Sequence, residues 1–233
     1  MESTAVVISI LLAFAIDAWW EDRSDRHAEI ALLARLQADF TAFRPELASV
    51  TKEHRARRDA CIELLERLSV GDRVSTTPEM DRLIAFAFVG ARTFQPGAGA
   101  VEAFINGDGV RLVKNKRIID LLLTWPGLIE ELREEERQLQ KGSAERWLPY
   151  LSSLTNIGPY IAAFQTEIPE IALLPQSQLA PSSRATLLVD EMLLNHILDR
   201  FQFQTLAIRD IEPLHKAVDE VLSLIEEEIG PAH

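Results

Sequence analysis

The stretch LNHILDRFQFQTLAIRDIEPLHKAVDEVLSLIEEEI, residues 194–229, decides the fold. Leu194, Ile197, Phe201, Gln204, Ile208, Ile211, His215, Val218, Leu222, Ile225 and Ile229 recur at alternating steps of three and four, and nine of these eleven are apolar. That period keeps one side of an α-helix apolar, the mark of a packing seam. A continuous helix here would run roughly 50 Å. Pro213 should bend it, because its ring removes a hydrogen bond. A straight parallel coiled coil is therefore disfavoured, and an antiparallel partner inside a bundle fits better. Gly230-Pro231 reads as the stop.

The same spacing recurs upstream. Leu33, Leu36, Phe40, Phe43, Leu47 and Val50 form a second seam, which Pro45 should kink or split near Phe43. Cys61, Leu64, Leu65 and Leu68 make a further apolar face ending before Gly71-Asp72. Thr77 and Pro78 suit the cap and first position of a helix carrying Met80, Leu83, Ile84, Ala87 and Phe88. Pro96 through Gly99 reads as a loop, residues 100–105 as a short helix, and Asn106-Gly-Asp-Gly109 as a turn. Residues 110–113 could be extended. Ile118, Leu121, Leu122, Trp125, Leu128, Ile129 and Leu132 resume helical spacing, with a break and restart at Thr124-Trp125-Pro126. The charged run 130–137 reads as an exposed face.

Residues 155–181 are different, because Pro159, Pro169, Pro175 and Pro181 interrupt a distinctly apolar segment. No single helix fits it, and it is too apolar for a free linker. It predicts short helical turns packed on the body, or a docking surface through Tyr160, Phe164, Ile168, Leu173 and Leu174.

The N-terminal run STAVVISILLAFAIDAWW, residues 3–20, carries no charge before Asp17. As a helix it would measure about 27 Å, close to the thickness of a bilayer core. Trp19 and Trp20 close the run where indoles favour the membrane–water boundary, and Asp17 lies near enough to the charged exit to reach headgroups. Residues 1–21 therefore read as a transmembrane anchor, with Val6, Ile10, Leu11, Phe14, Trp19 and Trp20 facing lipid. A buried core helix fits the same stretch, as does a cleavable signal peptide with Ala13-Phe14-Ala15 as its cleavage site. The absence of a preceding basic segment and the apolar run into the double Trp favour the anchor. Arg23, Arg26 and Arg35 follow the run, and the positive-inside rule then puts the body on the cytoplasmic side.

At this exit the chain resembles an uncharacterised family of bacterial membrane-anchored proteins, a domain of unknown function. Trp19, Glu21 and Arg23, then Leu33, Leu36, Asp39 and Phe40, carry the likeness, as do Gly109, Leu112, Val113, Asn115 and Lys116. The family's usual Asn before the Trp is replaced by Asp17 or Ala18. The resemblance covers about half the chain and implies a single-pass protein of the bacterial cytoplasmic membrane. It implies no activity.

Composition narrows the chemistry. Of 233 residues, 47% are hydrophobic and 26% charged, ordinary for a folded chain. The net charge of −12 disfavours nucleic acid as a partner. Arg55, Arg57 and Arg58 lie among acids, where Glu53–Arg57 and Arg55–Asp59 pairing would leave a solvated face. Cys61 stands alone, so it supports neither an intrachain disulfide nor a cysteine-based zinc site; its apolar neighbours mark it as buried.

Glu212 and His215 have the Glu-x-x-His spacing of carboxylate-bridged di-metal bundles, but the motif occurs once. A core histidine beside Asp219 is the simpler reading. His27, His54 and His196 have no companion histidine at ligand spacing. Gly97-Ala-Gly99 lacks the third glycine and the preceding strand of a dinucleotide fingerprint, and no phosphate loop or Gly-x-Ser-x-Gly elbow occurs. Asn106-Gly-Asp-Gly109 lacks the further acids of a calcium loop. Glu226, Glu227 and Glu228 read as solvated.

The sequence therefore predicts an all-α protein: a transmembrane helix over 1–21, then a soluble bundle with long antiparallel helices over 22–233. It points to no cofactor, no metal and no enzyme. The expected role is an accessory or stabilising subunit of a larger membrane protein complex, with lipid, partner subunits or a second copy as contacts. A ligand-binding sensory domain on a single-pass anchor is the alternative.

Overall fold

The first helix, α1, spans Glu2–Leu68 without interruption, and its buried residues show why. Leu33, Leu36, Phe40, Phe43, Leu47, Val50, His54, Arg57, Cys61, Leu64 and Leu68 are all buried and follow one unbroken alternation of three and four. The two seams read separately are a single one. Pro45 neither splits nor ends it: proline in a helix interior costs about 3 kcal/mol, and seam burial on both sides outweighs that.

The computed structural model describes residues 2–69, 73–75, 77–97, 99–166, 168–180 and 186–229, and the side chains of all these except 2–9, 73–75 and 186–188. The stops expected at Gly71-Asp72 and Gly230-Pro231, the residues Ala98 and Pro181, and the Val6 side chain lie outside what is described. Among the described residues, no helix is long and apolar enough to cross a membrane. The all-α class and the bundle of long helices hold. Position 21 marks no break, since α1 runs through it.

After α1 come β1 (Arg73–Ser75), α2 (Pro78–Phe88), α3 (Gly99–Asn106), α4 (Gly109–Leu112) and α5 (Lys116–Gly142). A π-helical turn, Ser143–Trp147, leads into α6 (Leu148–Leu154). Then follow α7 (Gly158–Ala162), a 3-10 turn (Pro169–Leu173), α8 (Gln176–Leu179), β2 (Thr186–Leu188) and α9 (Glu191–Ile229). The two short strands pair antiparallel, Arg73 opposite Leu188. Thr77 caps α2 as expected, its hydroxyl accepting the Met80 amide at 3.2 Å. Residues 110–112 are helical rather than extended, the amides of Arg111 and Leu112 folding back onto the Asp108 carbonyl, and only Val113 is extended. Nor does α5 break at Pro126. The Thr124 hydroxyl donates to the Asp120 and Leu121 carbonyls, and Trp125 packs on Phe40 and Phe43 at 4.9 and 5.8 Å between ring centres.

The chain forms two compact units, one of Met1–Pro45, Gln95–Gly127 and His215–His233, the other of Glu46–Phe94 and Leu128–Leu214. Helices α1, α5 and α9 each supply a segment to both. In the first unit α9 runs antiparallel to α1, shown by Arg26 donating to the Glu228 carbonyl while Arg44 pairs with Asp219. In the same unit α5 runs parallel to α1, since Lys114 donates its amide to Glu29 and Trp125 meets Phe40. Glu29 is buried; it is ion-paired to Arg26 at 2.7 Å and anchors the start of α5. Asp39 takes the Ala100 amide at 3.0 Å and fixes α3.

The seam on α9 differs from its expected register. Leu193, Ile197, Arg200, Gln204, Ala207, Ile211, Leu214, Val218, Val221 and Ile225 are buried, whereas Leu194, Phe201, Ile208 and His215 are only half-buried. His215 is therefore not a core residue, and Asp219 turns outward to Arg44.

Candidate functional site

Both long seams reach a polar layer in the second unit. On α1 it is His54 and Arg57, on α5 Glu136, and on α9 Arg200 and Gln204, every one of them buried. A buried charge costs several kcal/mol unless paired and hydrogen-bonded, so the partners decide what this layer does. His54 Nδ1 donates to Gln204 Oε1 at 2.5 Å, and its Nε2 lies 3.6 Å from Glu136. Glu136 also accepts the Phe94 amide at 2.9 Å.

The two arginines converge on the segment after α2. Arg57 forks onto Glu53 at 2.7 and 2.9 Å and donates to the carbonyls of Phe86, Val89 and Gly90. Its guanidinium lies 4.9 Å over the Phe86 ring. Arg200 donates to the Leu139 carbonyl, to the Ser143 hydroxyl and, closely, to the Gly90 carbonyl. Gly90 sits at φ 71°, a conformation that glycine adopts without strain, and this turns its carbonyl toward both cations. Burial and the Arg57 charge push the Arg200 guanidinium down to about 9, still protonated at neutral pH.

The π turn completes the layer. The buried stripe of α5 runs Ile118, Leu122, Trp125, Ile129, Leu132, Glu136, Leu139, Ser143, and regular spacing would next bury position 146. The wider turn moves the stripe on by one residue. Trp147 goes inside, fully buried 4.7 Å below Arg200, while Arg146 stays out and pairs with Asp199. Ser143 donates to the Phe88 carbonyl. The terminal nitrogens of both guanidiniums are thus engaged by backbone carbonyls, Glu53 and the Ser143 hydroxyl, while the buried Arg200 Nε has no hydrogen-bond partner among the described residues. The arrangement pins residues 86–94 and leaves the buried His54 Nε2 without a hydrogen-bond partner among the described residues, 3.6 Å from Glu136.

Three sequence expectations change here. Arg57 is buried rather than on a solvated face, although its pairing with Glu53 holds. Glu136 is buried within the run expected to be exposed. Glu228 is engaged, accepting from Asn115 and through its carbonyl from Arg26, rather than simply solvated. Among the described residues, no group of three acids, histidines or cysteines is placed to hold a metal ion. His196 packs against Tyr150, and burial lowers its pKa.

Beside the layer lies an open cleft of about 670 Å³, lined by Glu53, Arg57, residues 89–92, Ile161, Phe164, Ile168 and Ile171. The proline-broken segment forms its apolar wall. Of the docking residues expected there, Phe164 and Ile168 line the cleft and Tyr160 is buried, while Leu173 and Leu174 are exposed, Leu173 at 84%. The expected anchor residues Ile10, Leu11, Phe14, Trp19 and Trp20 are all exposed.

Cys61 is buried as expected, and burial pushes its thiol up to about 12 against the opposing pull of Arg200 and Arg57. Its reaction with a disulfide reagent should therefore wait on unfolding. An exposed thiol speeds up only about fourfold between pH 8 and 10 as thiolate forms, whereas Cys61 should stay almost wholly protonated and unmodified across that window and react fully in denaturant. Rapid modification at pH 8 in the folded chain would contradict this burial.

Comparisons with protein-family models, curated proteins and solved structures gave no match.

Proposed function

We propose that this chain is a membrane-anchored helical interaction protein, an accessory or stabilising subunit of a larger membrane protein complex, held by residues 1–21 as a single-pass anchor. One observation carries the reading. Ile10, Leu11, Leu12, Phe14, Ile16, Trp19 and Trp20 stand 47–66% exposed on one continuous helix. Burying a large apolar side chain is worth roughly 1.5–3 kcal/mol, so a contiguous row of them calls for a covering. Sequence continues the row through Val6, Val7 and Ile8, and lipid is the cover that needs no polar groups in return.

Trp19 and Trp20 meet edge to face at 5.6 Å, and Arg23 lies 5.7 Å over the Trp19 ring. A collar of indoles with an arginine suits the headgroup boundary. With Arg23, Arg26 and Arg35 beyond it, the positive-inside rule favours a cytoplasmic body in a bacterial cytoplasmic membrane.

Alkaline carbonate washing of membranes from expressing cells should leave the chain in the pellet, and Leu11→Glu with Phe14→Glu should release it. Recovery of the intact parent chain in the wash would end the anchor reading. A mild-detergent pull-down that returns a lone monomer would end the subunit reading. The cleft favours a second reading, a ligand-binding sensory domain on the same anchor, which a specific thermal shift with a small molecule would promote.

A further inference from the structure

We infer that the cleft beside the polar layer is a binding site for a small apolar carboxylate, with its head on Arg92 and its body along Phe164, Ile168 and Ile171. Its volume, about 670 Å³, lies within the range of small-molecule sites, which are mostly apolar with a few placed polar groups. The charges on its walls are not equivalent. Arg57 is answered by the Glu53 carboxylate at 2.7 Å and by three backbone carbonyls, so it attracts little more. Arg92 is exposed on the same wall and makes no ion pair or hydrogen bond with any other described residue. Among the described residues, the lining thus carries one uncompensated positive charge in a chain of net charge −12. An anion that entered only by long-range attraction would be repelled by this protein, so binding must come from local fit.

The opposite wall supplies that fit. Phe164 and Ile171 are buried, with Phe164 stacked near-parallel on Phe86, 6.4 Å between centres. Ile168 is half exposed and edges the cleft. The segment under Arg92 is held still, its Gly90 carbonyl by two guanidiniums and its Phe94 amide by Glu136. A cation on a pinned strap facing an apolar wall favours a ligand with one charged end, and disfavours neutral or cationic analogues of the same shape. The site does not depend on whether residues 1–21 lie in lipid.

The probe is 2-naphthoate, titrated calorimetrically into the full chain in phosphatidylcholine nanodiscs, with empty nanodiscs subtracted. Saturable one-to-one binding is expected, at least about tenfold tighter than for 2-naphthylmethanol or 2-naphthylmethylamine. Arg92→Glu should weaken it by about tenfold or more, and Ile168→Asp should do likewise. Arg133→Glu, an exposed charge reversal elsewhere in the same unit, should leave it unchanged. Absence of saturable heat up to about 5 mM, equal affinity for the alcohol or amine, or an unaltered affinity in Arg92→Glu would each overturn the proposal. Charge-blind binding would instead mark the cleft as a seat for an apolar side chain of a protein partner.

Discussion

Arg200→Ala should lower the unfolding free energy by about 3–5 kcal/mol, as expected when charge-assisted hydrogen bonds are lost and a large buried side chain is truncated. The loss has three sources. The carbonyls of Gly90 and Leu139 and the Ser143 hydroxyl lose a charged donor inside the protein. Trp147 loses the cation over its ring, and a side chain with no exposed surface leaves a cavity. Arg200→Met refills the volume without donors, so it should recover part of the loss and no more. Urea unfolding followed by circular dichroism measures both. A loss below about 1 kcal/mol for Arg200→Ala would show that the network is not what holds residues 86–94.

Gly142→Ala should destabilise the chain by about 2–3 kcal/mol, against the usual sign of a glycine-to-alanine change in a helix. Alanine favours helix over glycine by about 1 kcal/mol, and Gly142 ends α5. A β-carbon there would fall 2.3 Å from the tip of the Trp147 ring, which is wholly buried and cannot swing aside. Gly127→Ala in the same helix is the control. Its β-carbon would meet nothing within 4 Å, so it should stabilise by about 0.5–1 kcal/mol. Thermal melts of the two variants should move in opposite directions. If Gly142→Ala melts at or above the parent, the close packing of Trp147 on this turn is wrong.

Much of the architecture was legible because apolar spacing reports helices directly. The α1 seam from Leu33 to Val50 and the one from Cys61 to Leu68 were each visible. What hid their unity were His54 and Arg57, two polar residues standing at the seam positions between them. On α9 the same thing shifted the register: Phe201 was the apolar neighbour and read as core, while the buried residue is Arg200. Continuing the alternation through polar residues, instead of stepping to the nearest apolar one, would have found Arg57, Glu136 and Arg200. Periodicity gives the face but not the partner, and Arg57 and Arg200 are buried only because a glycine carbonyl after α2 receives them. That contact joins residues 110 positions apart, and no local pattern encodes it. Trp147 was beyond reach for another reason, since a single π turn resets the count.

The prolines inside the long helices were expected to kink, interrupt or bend them; each helix runs on through its proline, and their places in the chain have a consequence. Pro45, Pro126 and Pro213 each fall within one residue of the point where α1, α5 or α9 passes from one unit to the other. A proline contributes no amide, so the carbonyl four residues earlier lacks its usual rung. Three ladders are thereby weakened at matching stations, and spontaneous backbone opening will concentrate there. Deuterium should enter the amides flanking these three sites sooner than those a turn or two away on either side.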